Sequence, residues 1–392
     1  MLVLQDLGKW MEPLESWMYP PTTSAAASPH SLETCGSVGA RLGGILASIH
    51  CDATLLIESR RLTGDGKPWF ENPDTEDIVR DRILGRILPI HRPRVAPDTG
   101  KLKKFAEIIP QDFERGFYNT LLPLSSPSLS FPKPIFSMGD LWTGSILVGT
   151  PPPAGSNPNP ISSDGTEVEV GLIDWEFAHP ARIGQDISQL SAWLYLFSTS
   201  SSWSSIESRH HHAVVDTTAI SPASSVDLGR FGPDFGTGVS YGPGAEGGAE
   251  PVTGETLGLR SAAGSLLDAL LEAYARKMRE YPDYAWFVDE DYDRRRFRKE
   301  RLTVIRSIWV SFGREVIYMS VDAESMFTRF FVVGVDGGER EGERLKVWQR
   351  AMVEVGSWYI SRAGECPDEE FEDVVRKEGV LRRMYTRASG AP

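Results

Sequence analysis

Apolar side chains recur at three- and four-residue intervals over several stretches of the chain, the period of one helix face. Val38, Leu42, Ile45, Leu46 and Ile49 share the face of a helix that ends at His50. Leu267, Leu270, Leu271, Tyr274 and Met278 form a second stripe, and Leu302, Ile305, Trp309, Phe312 and Val316 form the cleanest one. Trp309 and Phe312 lie within that stripe and so read as core, not as ligand contacts. A further helix is expected over 345–360, through Trp348, Met352 and Val355. Asn72-Pro73-Asp74-Thr75-Glu76 has the form of a helix start and is followed by Ile78, Ile83, Ile87 and Ile90.

Strand-like segments are few and grouped. Leu2-Val3-Leu4 is one, and Ile135-Phe136-Ser137-Met138 runs into Gly139-Asp140. Ile146-Leu147-Val148 follows, and Val168, Val170, Leu172 and Ile173 lead into Asp174. Pairing 146–148 with 168–173 as a hairpin sets the start of the first strand beside the end of the second. Asp140 and Asp174 then share one end of the hairpin, with Ser145 between them. The segment 150–166, with five prolines in seventeen residues, falls at the opposite end as a surface loop.

Composition changes this picture in one place. Seven of the eleven residues over 198–208 are serine, and thirteen of the thirty over 229–258 are Gly or Pro, so 198–258 reads as a disordered insert. His210-His211-His212 inside it lacks Cys or carboxylate partners at ligand spacing and reads as solvated sequence. The 392-residue chain as a whole is 41% apolar and 24% charged, enough to bury a core. A net charge of −13 argues against a general nucleic-acid backbone binder. The three cysteines, Cys35, Cys51 and Cys366, are too scattered for a disulfide framework, which points to a reducing, cytoplasmic setting. The acidic opening MLVLQDLGKWMEPLE is unlike a signal peptide, and no apolar run reaches membrane-spanning length. Neither a membrane nor a nucleic-acid partner is expected, and nothing fixes the oligomeric state.

The two aspartates carry the candidate chemistry. So placed, one carboxylate can accept a hydroxyl proton while the other holds Mg²⁺ against phosphate oxygens; each alone would read as a turn cap. Together, GDLWTGSILV, LIDWEFA and IGQDISQL resemble the aminoglycoside phosphotransferase/choline kinase family, including its fungal members and the methylthioribose kinases. LVLQDLG, GGILASIH, ENPDTEDIV and SFGREVIY resemble it more weakly.

The resemblance implies an α+β, protein-kinase-like fold: a mainly helical C-terminal lobe with a short β-hairpin carrying the catalytic loop, and an N-terminal lobe largely absent. It divides the chain into the last N-lobe strand and hinge (1–8) and the C-terminal lobe (9–197 and 259–385), with inserts at 150–166 and 198–258. Asp140 matches the catalytic base, and Asp174 matches the metal-binding aspartate. Ser145 stands where most members have an Asn metal ligand, as it does in methylthioribose kinases. Asp186 matches an aspartate that braces the catalytic loop from a helix start without touching substrate. Gln5, Asp6 and Leu7 match the hinge that meets adenine. Met138 replaces the usual His two residues before the base, which bears on loop geometry. Glu176 is close enough to share the metal region and reads equally as a solvated turn acid. Preceding parts of the family pattern (phosphate-covering loop, strand lysine, helix glutamate) have no counterpart, so the chain reads as beginning in mid-fold.

The implied activity is transfer of phosphate from ATP, with Mg²⁺, to a hydroxyl of a small molecule. The alternatives are a catalytically inactive kinase-like binding module and a truncated gene product. Other signals fail on chemistry. Asp289 through Glu300 mimics a calcium loop, but Arg294 stands where its Gly is required. Gly64-Asp65-Gly66-Lys67 lacks the Ser/Thr of a phosphate loop, having Pro68 instead.

Overall fold

The computed structural model describes residues 11–20, 30–55, 108, 135–149, 168–214, 261–288, 298–331 and 338–385. Leu2-Val3-Leu4, the hinge residues Gln5, Asp6 and Leu7, the helix start at 72–76, the Pro-rich loop and the charged run from Asp289 lie outside them. Within them the protein is mainly helical, with a three-stranded antiparallel sheet and a two-stranded one.

The chain enters through β1 (Glu12–Pro13) and α1 (Leu14–Met18), then α2 (Leu32–Ser48), which a π-helical turn (Ile49–Ala53) prolongs. Ser31 caps α2 by accepting from the Thr34 N–H. β2 (Ile135–Ser137), β3 (Ile146–Gly149), β4 (Glu169–Leu172) and β5 (His179–Ala181) follow. The remainder is α3 (Gln185–Val214), α4 (Ala262–Met278), α5 (Pro282–Val288), α6 (Arg298–Asp322), α7 (Glu324–Thr328), α8 (Gly338–Glu365) and α9 (Asp368–Lys377).

The expected hairpin forms. β3 and β4 pair antiparallel with Ile146 opposite Leu172, and the Ile173 N–H donates to the Ser145 carbonyl at 3.0 Å, one rung further. β1, which has only two residues and no periodic signal, covers the other edge of β3. β2 pairs with β5, so the strand entering the Asp140 loop is tied to the chain that leaves Asp174.

The helical stripes are core. Leu267, Leu270, Leu271, Tyr274 and Met278 of α4 are buried, as are Leu302, Ile305, Trp309, Phe312 and Val316 of α6. Two helix contacts are set by glycine. A Cβ on Gly39 or Gly43 would fall on the carbonyl oxygens of Leu266 or Leu270, so α2 and α4 meet backbone to backbone. Gly313 of α6 and Gly356 of α8 face each other in the same way. Beside that crossing, Trp309 sits among Trp358, Tyr359 and Phe371, with ring centroids 4.8–5.3 Å apart.

One expected boundary is corrected. The serine-rich run does not leave the fold at 198: α3 continues to Val214, and Ser198, Thr199, Ser200 and Ser201 are buried. The physical reason is local. Thr199, Ser200 and Ser201 donate their hydroxyls to the carbonyls of Leu196, Phe197 and Ser198 at 3.0–3.1 Å, so the helix itself satisfies them. Tyr19 donates to the Ser201 hydroxyl at 3.2 Å and accepts from the Ala263 N–H at 3.3 Å, tying the end of α1 to α3 and α4. Residues 215–258 of the expected insert lie outside the described part. Among the described residues no helix is long and apolar enough to cross a membrane, and all three cysteines are free and buried.

Candidate active site

Asp140 lies between β2 and β3, on a loop that closes with a 3₁₀ turn (Thr143–Ser145). The turn into the loop needs Gly139. Its φ is +83°, and a Cβ there would collide with the carbonyl of Phe177. Asp174 follows β4 and is the one non-glycine residue with positive φ among the described residues, at φ 63° and ψ 56°. Asp tolerates this left-handed conformation better than most residues, and such outliers gather at functional sites.

The hairpin brings the two aspartates to one end. Partial burial, then the charges of Glu176 and Asp140, push the Asp174 carboxyl above its usual range. The placement itself follows from the register, which sets Ser145, where the Asp140 loop runs into β3, beside Ile173, the neighbour of Asp174. Asp174, Trp175 and Glu176 are exposed, and Trp175 stacks on Phe136 with ring centroids 6.2 Å apart.

Beneath the loop lies a buried network. The Asp186 carboxylate, at the first turn of α3, accepts from the Ser137 hydroxyl at 2.6 Å, the Met138 N–H at 2.8 Å and the Gly139 N–H at 3.1 Å. His50 Nε2 is 3.1 Å from Asp186 Oδ2, and His50 Nδ1 is 2.9 Å from the Tyr274 hydroxyl. Burial opposes the charge on Asp186, but these hydrogen bonds outweigh it and hold its carboxyl below the usual range. Asp186 thus ties the start of α3 to the 137–139 segment of the loop. At Met138 it grips the backbone N–H, a contact that does not depend on the side chain there.

His50, Ser137, Tyr274 and Gln189 were not singled out by the sequence. His50 stands at the end of an apolar stripe, and Tyr274 lies inside another, so both read as helix-face residues. The close approach of α2 and α4 at Gly43 brings them together beside Asp186. Gln189, one turn after Asp186, donates from Nε2 to Asp140 Oδ1 at 2.8 Å.

Ser145 lies at the same end of the hairpin but is fully buried. Its hydroxyl accepts from the Trp142 N–H at 3.1 Å and donates to the Trp142 carbonyl at 2.8 Å, within its own loop. Among the described residues no group of three or more His, Cys, Asp or Glu is placed to hold a metal. The exposed, anion-flanked Asp174 nevertheless fits a hard cation such as Mg²⁺. That ion takes one or two carboxylates, keeps several waters and draws its other ligands from phosphate.

Comparison of this chain with protein-family models, with curated proteins and with solved structures finds no match.

Proposed function

We propose that this chain carries the catalytic loop of a small-molecule phosphotransferase, of the protein-kinase-like type represented by the aminoglycoside phosphotransferase/choline kinase family. The observation that carries the reading is the convergence of Asp140 and Asp174 at one end of the β3–β4 hairpin, with Asp186 gripping the loop from below. In this reading Asp140 orients the acceptor hydroxyl and takes its proton as phosphate is transferred. Asp174 holds Mg²⁺, which supplies charge neutralisation on the phosphate oxygens of ATP. Asp186 keeps the backbone of the loop in place. Gln5, Asp6 and Leu7 are the proposed adenine hinge.

The burial of Ser145 favours a second reading, a kinase-like module that binds without catalysis, because one of two expected metal ligands is spent within its loop. One experiment separates the two. The full 392-residue chain is incubated with γ-labelled ATP, MgCl₂ and panels of sugars, amino alcohols and aminoglycosides. Transfer to a hydroxyl, reduced about 10²-fold or more in Asp140→Asn and lost in Asp174→Ala, supports the phosphotransferase. Nucleotide binding without transfer supports the module. Transfer undiminished in Asp140→Asn overturns the assignment of the base.

A further inference from the structure

Helix α3 meets the catalytic loop in order along one face. Asp186 contacts 137–139; Gln189, three residues on, contacts Asp140; Trp193, four further on, lies against Trp142 with ring centroids 5.8 Å apart. The spacings of three and four residues keep all three on one side of the helix. The first contact holds backbone and the third packs rings. The middle one alone reaches the carboxylate read as the base.

We propose that Gln189 is a positioning residue that sets the plane of the Asp140 carboxylate; this rests on the phosphotransferase reading above. Gln189 is 5% exposed, and its amide end can be assigned without ambiguity. Asp140 Oδ1 is the acceptor, so the NH₂ faces Asp140. A hydrogen bond of 2.8 Å to Oδ1 restrains rotation about the Asp140 Cβ–Cγ bond. An acceptor hydroxyl then meets the base in one orientation. The choice of an amide matters chemically. A Lys or Arg at this position would fix the plane too, but its positive charge would weaken the base. Glutamine gives a donor without that charge.

The test is a double-mutant cycle in the full chain, with the labelled-ATP transfer assay and thermal melts on every variant. Gln189→Leu removes the donor at similar volume, and Gln189→Met serves if the Leu variant does not fold. The expected result is a fall in kcat of about 10- to 100-fold, with KM for Mg·ATP within about twofold. Gln189→Glu, with the same length but a repelling charge, should fall at least as far. In an Asp140→Asn background, Gln189→Leu should cause little further loss, because both changes act through the same carboxylate. An active wild type matched by Gln189→Leu overturns this inference alone. So does an equal fold-loss in both backgrounds, which would mark a general packing role. A folded wild type that transfers phosphate to no acceptor overturns the phosphotransferase reading, and this inference with it.

Discussion

Two carboxylates within one site are pushed in opposite directions, and that makes their contributions separable by pH. Hydrogen bonds from His50, Ser137 and the Met138 N–H hold Asp186 below its ordinary value of 3.8. Its charge therefore stabilises the fold above that ordinary value, and the contribution is lost as pH falls through the lower folded value. Asp174 is raised above 3.8 by burial, Glu176 and Asp140. Its ionised form costs stability at neutral pH, and the cost disappears below the ordinary carboxyl range. Denaturant melts at pH 7, 5, 4 and 3 should show both signs. Asp186→Asn should lose about 3 kcal/mol or more at pH 7, as expected for breaking a buried pair, with the deficit shrinking toward pH 3. Asp174→Asn should melt slightly higher at pH 7, on the order of 1 °C for so exposed a group, with the gain gone at pH 3. A destabilised Asp174→Asn at neutral pH would contradict the crowding of like charges at this site. Of these residues, Asp140 and Asp174 were legible in the sequence from the strand ends they flank, and Asp186 only through the resemblance carried by IGQDISQL. His50 and Tyr274 were not. They meet across 224 residues, and nothing local in either helix announces the other.

At the scale of elements, the apolar period located α2, α4, α6 and α8, because a helix must bury one stripe whatever it packs against. The period did not say how close two helices come. Gly39 and Gly43 decide that for α2 and α4, and they predict a sharp contrast within a single helix. Gly39→Ala or Gly43→Ala drives a methyl into the backbone of α4 and should cost about 1–3 kcal/mol. It should also separate His50 from Tyr274. Gly44→Ala, one position on, meets nothing within 4 Å and should stabilise by about 0.5–1 kcal/mol through helix propensity. Urea titration of the three variants checks the ordering, and equal effects at 43 and 44 would show that the helices are not in backbone contact. The serine run at 198–208 taught the reverse lesson. Its composition read as disorder, yet hydroxyls that bond carbonyls one turn back are compatible with a buried helix.

For the whole molecule, the net charge of −13 acts on stability more than on fold, through self-repulsion that salt screens. The melting temperature should therefore rise between about 10 and 150 mM NaCl, where the Debye length shortens from about 30 to 8 Å. A scanning-fluorimetry series reads this directly, and a falling melting temperature would mean that attractive ion pairs such as Arg306 with Asp368 outweigh the repulsion.

The sequence by itself determined the helix faces, the β3–β4 hairpin and the two aspartates at its open end. Each of these follows from side-chain period or from antiparallel geometry over a few tens of residues. Only the tertiary structure decided what holds those aspartates. The buried His50–Asp186 pair spans 136 residues and the Gln189–Asp140 bond spans 49, so both exist only once helices have packed. Their partners are polar side chains whose local sequence fits an ordinary helix face equally well. A hydrogen bond between distant segments depends on where two backbones come to rest, and here glycines and ring packing set that position.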